Sequence, residues 1–401
     1  MISRNKEFVI SQIILITAFL PFLFTKTIGS DWDSYALIGT FLNFENLGIY
    51  TPSRPPGFPI HETIVGLTIY FAEILNFSKE QALLIVQLVI GILLNYVIFA
   101  FLIKRFEFSK IFYFCLIFSP IYVISIFSII DYTLGALFGF SAVYMYLYKK
   151  EFVIILVSLL LALSAGARLS NLIFLFAILF FELVNKENLG KVLKIILLTF
   201  SFTFIIYLPF YNNLLNLILQ NNPSFQIKDL VCVFNLTNTE LPILERLGRF
   251  ILKQINLLGL IGSIIMVFLI LSSRLKIENE SKVFVFIFIF FELSFLRLPT
   301  EEGHLLPALI SLFFIVANNK INKNILVYLL IATVFSNFVN INFYSVDKKD
   351  SASEITVSPN ISTGYLYEDF NDRKVKGVDK NFHYENSKYS LIEAWSYGCP
   401  N

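Results

Sequence analysis

From Gln81 to Ile103 the chain carries no charged residue. Runs of this kind recur as far as about residue 343, and they restrict the fold more than any motif does. An apolar stretch of roughly 20 residues matches the thickness of a bilayer core when helical. In lipid every backbone N–H and C=O must be satisfied internally, so only helices and closed barrels can cross. The runs lack the alternation of barrel strands, which leaves helices. The whole of the 401 residues agrees: 56% are hydrophobic and 15% charged, with a mean hydropathy of +0.72. The sequence therefore predicts an all-α, polytopic transmembrane helical bundle.

The net charge of +2 is too small for a nucleic-acid partner, and the basic residues sit in short clusters between apolar segments rather than along one face. The lysines and arginines report topology instead. Apolar segments fall at about 8–28, 61–77, 81–103, 110–130, 132–148, 152–167, 169–184, 195–211, 250–272, 283–298, 305–318 and 324–343. Basic connectors at Arg4/Lys6, Lys104/Arg105/Lys110, Lys149/Lys150, Lys186/Lys191/Lys194, Arg274/Lys276/Lys282 and Lys320/Lys323 should be cytoplasmic. Counting back from the last connector, the sides alternate correctly as far as Lys104. One segment too many then lies between Lys6 and Lys104. Segment 61–77, short and carrying His61, Glu62 and Glu73, is read as a juxtamembrane or re-entrant helix, with His61 and Glu62 as exposed residues at its start. Leu37, Phe41, Phe44 and Leu47, opposite Thr40, Asn43 and Glu45, predict a second interfacial helix before it. The expectation is about 11 spans with the amino terminus cytoplasmic. Residues 1–344 form the transmembrane module, with a first outer loop over 29–62, or to 80 with its juxtamembrane helices. Residues 345–401 form a polar extracytoplasmic tail. Arg4 and Lys6 resemble a signal-peptide start, but the apolar run is long and lacks a small-residue cleavage site, so a retained span is expected.

This topology gathers the unusual polar residues on the outer side. Asp31 and Asp33 flank Trp32 directly after the first apolar run. In an extended segment both carboxylates project to one side, whereas on a helix they diverge. Two carboxylates in a connector are ordinarily solvated charge, and the tryptophan is ordinarily an interfacial anchor. The next outer stretch, R-P-P-G-F-P from Arg54 to Pro59, cannot continue a helix and fixes a rigid turn with a guanidinium at its start. Such a fork suits phosphate or carboxylate; the plain alternative is a break between two surface helices. Arg168 splits a long apolar stretch beside Gly166 and Asn171, as in a broken helix or a tight hairpin. Arg297, Glu301, Glu302 and His304 crowd one turn, where mutual charge neutralisation is the simplest reading. Arg168 and Arg297 both oppose the positive-inside rule, and charges placed at such cost tend to mark sites. Cys115, Cys232 and Cys399 have no metal-ligand spacing; Cys115 reads as helix packing, and the spacing leaves a Cys232–Cys399 pairing open.

As an ordered set these stretches resemble the GT-C superfamily of integral-membrane glycosyltransferases, in the branch of protein O-mannosyltransferases and lipid A aminoarabinose transferases. The resemblance rests on the acidic motif Asp31-Trp32-Asp33, the R-P-P-G-F-P turn, GARLSN at 166–171 and RLPTEEGHLLP at 297–307, over roughly residues 8–310. The stretch 212–247 and the tail are short for a family whose members often carry a large outer domain. The resemblance implies transfer of a sugar from a polyprenyl-phosphate donor to a lipid, glycan or protein acceptor on the extracytoplasmic face of the cell or inner membrane. It implies Asp31 and Asp33 as catalytic carboxylates. Arg54, Arg168, Arg297 and His304, with Glu301 and Glu302, are then substrate-binding candidates. A divalent cation beside the carboxylates stays open, and no cofactor is fixed. Rival readings are a polysaccharide polymerase or O-antigen ligase, and a lipid-linked glycan flippase or transporter. A transporter should show two repeated halves with polar residues at mid-membrane, and no internal repeat is evident.

Overall fold

A computed structural model describes residues 2–24, 57–103, 109–148, 153–185, 189–219, 243–273, 277–297, 302–319 and 321–338, with isolated positions at 34–53, 299, 342–343 and 355–356. The described helices begin with α1 (Ile2–Ala18), α2 (Pro59–Ile74), α3 (Lys79–Ile103), α4 (Ser109–Ile117) and α5 (Pro120–Phe127). Then follow α6 (Asp131–Tyr148), α7 (Val153–Ala167), α8 (Ile173–Asn185) and α9 (Leu189–Leu219). The last four are α10 (Ile243–Ser272), α11 (Lys282–Arg297), α12 (Leu306–Ala317) and α13 (Lys323–Phe335). Apart from 3-10 turns, the remaining regular structure among the described residues is a two-residue antiparallel pairing of Asn342–Phe343 with Ile355–Thr356. The fold is helical, as the apolar runs require.

Three helical stretches, Lys79–Leu102, Leu189–Pro209 and Arg246–Ser272, are long and apolar enough to cross a membrane, and the bent pair Lys110–Ile117 and Pro120–Phe127 would make a fourth. Shorter apolar helices occupy Ile154–Ala167, Leu169–Asn185, Gly303–Ala317 and Lys323–Phe335. Their outward faces are greasy. On α3 the residues Ile85, Val89, Leu93 and Tyr96 are exposed while Leu84, Gln87, Leu94 and Ile98 are buried. On α9 the exposed row is Leu193, Leu197, Phe200, Phe204 and Leu208. A helix apolar on both faces is built for lipid outside and protein inside.

The expected single span at 110–130 is instead two helices meeting at 63°. Pro120 is the cause, because it has no N–H to donate and its ring displaces the preceding turn. Thr40, expected on the polar side of an interfacial helix, is 5% exposed, and Leu37 and Ile38 pack with Val65 and Ile69 of α2, Leu83 and Leu84 of α3 and Ile129. That segment is thus seated on a hydrophobic cluster, which outweighs the pull of one hydroxyl toward water.

The chain divides into two units. One comprises Leu23–Val97, Phe127–Leu241 and Lys376–Asn401, and in it α6, α7, α8 and α9 pack around one another with α2 against α7 and α9. The other comprises Met1–Phe22, Ile98–Ile126 and Pro242–Val375; there α11 packs on α12, α10 on α13, and α4 on both α12 and α13. Cys115 is buried in the second of these, its Sγ–H directed at the Leu326 carbonyl at 3.6 Å, which is the packing role expected of it.

Candidate active site

Arg168 sits where α7 stops. Its backbone is extended (φ −162°, ψ 120°) and caps the 3-10 turn Leu169–Leu172 that leads into α8. Several polar contacts hold this break. The Arg168 N–H donates to Ser164 O at 3.0 Å, and Asn171 Nδ2 donates to the same carbonyl at 3.1 Å. Ser164 Oγ donates to Gly135 O on α6 at 2.6 Å. Tyr207 of α9 reaches Ala165 O and Gly57 O with its hydroxyl, at 3.0 and 3.1 Å. At Gly166 an added Cβ would fall 2.7 Å from Ile60 and 2.8 Å from Ile206, so the small residue lets α2 and α9 close on the break.

The side chain points into protein. Arg168 Nη1 donates to Asp131 Oδ2 at 2.7 Å, and the two side chains are 10% and 2% exposed. The guanidinium lies over the Tyr132 ring at 4.4 Å and the Phe58 ring at 5.6 Å. A buried carboxylate and two aromatic faces compensate the charge. Asp131 opens α6, and its carboxylate is favoured by the positive end of that helix. Ahead of it, Ser34 Oγ donates to Ile129 O at 2.7 Å and Gln87 Nε2 to Ile130 O at 3.3 Å. Ser34 directly follows Asp33 in sequence.

His61 and Glu62, expected to be exposed, are 1% and 3% exposed. Glu62 Oε1 accepts from both the backbone N–H and the hydroxyl of Ser53, at 2.7 and 2.6 Å, so the first turn of α2 is tied to a residue nine positions earlier. Gly57 has φ +97°, a conformation side chains resist, and this lets the chain enter α2 with Pro59 at its first turn.

The remaining expected site residues fall elsewhere. Asp31, Asp33, Arg54 and Glu301 lie outside the described residues, as does the side chain of Glu302, whose backbone opens the 3-10 turn Glu302–Leu305. His304 sits half-buried in that turn. Arg297 ends α11, exposed, and lines a groove of about 340 Å³ with Leu293 and Leu296 of its own helix and Ile243, Arg246 and Leu247 of α10. Arg168 belongs to one unit and Arg297 and His304 to the other. Sequence reasoning missed Asp131 as the partner of Arg168, and also Tyr132, Glu62 and Arg246. Asp131 was recoverable, because opposite charges inside apolar segments of one compartment tend to pair. Among the described residues no cluster of three His, Cys, Asp or Glu side chains could hold a metal ion.

No protein-family model matches the chain, and no curated protein matches it. The fold does have a solved counterpart. The chain is similar to the crystal structure of ArnT from Cupriavidus metallidurans in the apo state, with a TM-score of 0.50 and 14% identity over 76% of this chain. The chain covers 58% of that structure's length. The likeness is one of fold, and the apolar helices make the chain an integral membrane protein.

Proposed function

We propose that this protein is a membrane glycosyltransferase of GT-C type that moves a sugar from a polyprenyl-phosphate-linked donor to an acceptor hydroxyl on the extracytoplasmic face. What carries the reading is the buried Arg168–Asp131 pair in a GT-C-like fold, with Ser34, the neighbour of Asp33, hydrogen-bonded two residues before Asp131. In the reaction the acceptor oxygen bonds to the anomeric carbon, the bond from that carbon to the phosphate oxygen breaks, and polyprenyl phosphate leaves with the electron pair. Asp31 or Asp33 takes the acceptor proton. Arginine N–H groups stabilise the charge that grows on the leaving phosphate, for which Arg54, Arg168 and Arg297 are the candidates, with His304, Glu301 and Glu302 contacting substrate. Two carboxylates could also bind a divalent cation, and no step here depends on one. Asp131 and Tyr132 act through Arg168, holding its guanidinium in one orientation. Eleven crossings with a cytoplasmic amino terminus and an outer tail complete the proposal.

The test is release of polyprenyl phosphate from a polyprenyl-phosphate sugar by purified protein. Asp31→Asn or Asp33→Asn should abolish release while the melting temperature is kept. Full activity in both variants refutes the assignment. ATP-independent movement of intact lipid-linked glycan across vesicles, without release, would favour a flippase instead.

A further inference from the structure

One hydroxyl ties together the two segments that meet at Arg168. Tyr207 lies on the buried face of α9, four and eight residues after the buried Thr203 and Thr199, and is 3% exposed. Its O–H faces the Ala165 carbonyl at 3.0 Å and the Gly57 carbonyl at 3.1 Å. Helix geometry leaves both acceptors over. α7 ends at Ala167, so Ala165 is among the four residues whose carbonyls its ladder does not use, and Gly57 precedes α2. Beside this bridge, Ile60 of α2 and Ile206 of α9 both close on Gly166, where an added Cβ would fall 2.7 and 2.8 Å from them. Hydrogen bonding and packing therefore hold the same three elements, α2, α7 and α9, at one place.

The consequence reaches the guanidinium through Phe58. This residue follows Gly57, caps α2 and sets its ring centroid 5.6 Å from the Arg168 guanidinium carbon. Asp131 and Tyr132 hold Arg168 from α6, at 2.7 and 4.4 Å, so Phe58 supplies a contact from a different element. Gly57, at φ +97°, has a permissive backbone, and the direction in which the chain leaves it toward Phe58 is not set locally. A donor on its carbonyl sets it. In sequence Gly57 comes three residues after Arg54, and Ala165 three residues before Arg168, so the bridge joins the roots of both arginines. A phenylalanine at 207 would fill nearly the same volume and take that donor from both carbonyls, in a place screened from water.

We infer that Tyr207 is a positioning residue: its hydroxyl clamps the Gly57–Phe58 turn to the end of α7 and thereby fixes the aromatic seat and the aim of the Arg168 guanidinium. It touches none of the reacting atoms. The clamp rests on the two hydrogen bonds, and its effect on sugar transfer rests on the transferase reading, in which Arg168 meets the leaving phosphate. There the phosphate gains its extra charge in the transition state, so a misaimed guanidinium lowers kcat more than it weakens donor binding. A tyrosine that only filled space would do neither when it lost its hydroxyl.

The experiment compares the purified full chain with its Tyr207→Phe, Arg168→Lys, Tyr207→Phe/Arg168→Lys and Tyr113→Phe variants. Tyr113→Phe controls for the loss of a buried tyrosine hydroxyl, since Tyr113 accepts from Gln12 Nε2 at 2.6 Å in the other unit. Hydrogen–deuterium exchange should rise in Tyr207→Phe over both 57–62 and 165–172, and over neither in Tyr113→Phe. In the release of polyprenyl phosphate, Tyr207→Phe should lower kcat roughly tenfold with the donor KM kept within about twofold. The double variant should be no slower than Arg168→Lys alone, because the clamp acts through that guanidinium. Unchanged exchange in either segment overturns the clamp, and so does the same rise in Tyr113→Phe. Wild-type kcat in Tyr207→Phe, or losses that multiply in the double variant, overturn the positioning role. A wild type that releases no polyprenyl phosphate fails the transferase reading instead, and exchange alone then decides the clamp.

Discussion

Arg168 at the end of α7 donates to Asp131 at the start of α6 across 2.7 Å, and neither side chain is more than 10% exposed. Removing one member of such a pair leaves the other charge buried without its partner, which typically costs about 3–5 kcal/mol, whereas replacing both by apolar groups can be nearly neutral. Asp131→Ala should therefore lower the melting temperature of the purified protein sharply. An Asp131→Ala/Arg168→Met double variant should recover most of that stability and none of the sugar transfer. A loss in the double variant equal to the sum of the Asp131→Ala and Arg168→Met losses would mean the pair contributes no coupling.

Glu62 grips Ser53 through both its N–H and its hydroxyl. Glu62→Ala releases two charge-assisted hydrogen bonds and leaves the Ser53 amide without its carboxylate, while Ser53→Ala removes only one. The expected order of destabilisation in thermal unfolding is Glu62→Ala well beyond Ser53→Ala, with the difference about 1–3 kcal/mol. Transfer activity should fall with it, because Ser53, which Glu62 holds, directly precedes Arg54 in sequence.

Gly139 allows α6 to meet Phe174 of α8. A Cβ there would lie 2.3–2.6 Å from three atoms of a ring that is fully buried. Gly139→Ala should destabilise by about 1–3 kcal/mol through overpacking. Adding Phe174→Leu, which shortens the obstructing side chain, should restore part of the loss in the same melting assay. An Ala variant as stable as wild type would show that the two helices can separate freely.

Asn337 answers the break before Pro120. Its Nδ2 donates at 2.7 Å to the Phe118 carbonyl, which lies at the 63° bend where the helical hydrogen-bond ladder is interrupted. Asn337→Leu strands that buried acceptor and should cost about 1–3 kcal/mol by chemical or thermal unfolding. Wild-type stability would mean the carbonyl finds another donor.

Single cysteines introduced at Lys104, Lys186 and residue 390, in a background without native cysteines, test the topology. A membrane-impermeant reagent applied to sealed spheroplasts should label position 390 alone. Labelling of position 104 or 186, or protection of 390, removes the eleven-crossing arrangement.

The helical class and nearly every helix position were legible in the sequence, because in lipid an uncharged run has no alternative to internal backbone hydrogen bonding. The basic connectors and the marked oddity of Arg168 were legible for the same reason: a charge is conspicuous where water is absent. What the apolar pattern could not express was partnership. Asp131 and Arg168 are separated by two helices' worth of chain, and only packing of α6 against α7 brings their charges within hydrogen-bonding distance. Glu62 looked exposed because its neighbours in sequence begin a helix, yet its carboxylate is buried and accepts two hydrogen bonds from a serine nine residues earlier. Local hydrophobicity decides where a membrane chain is helical, and tertiary structure decides which of its few polar groups meet, since each meeting depends on the long-range geometry of the bundle.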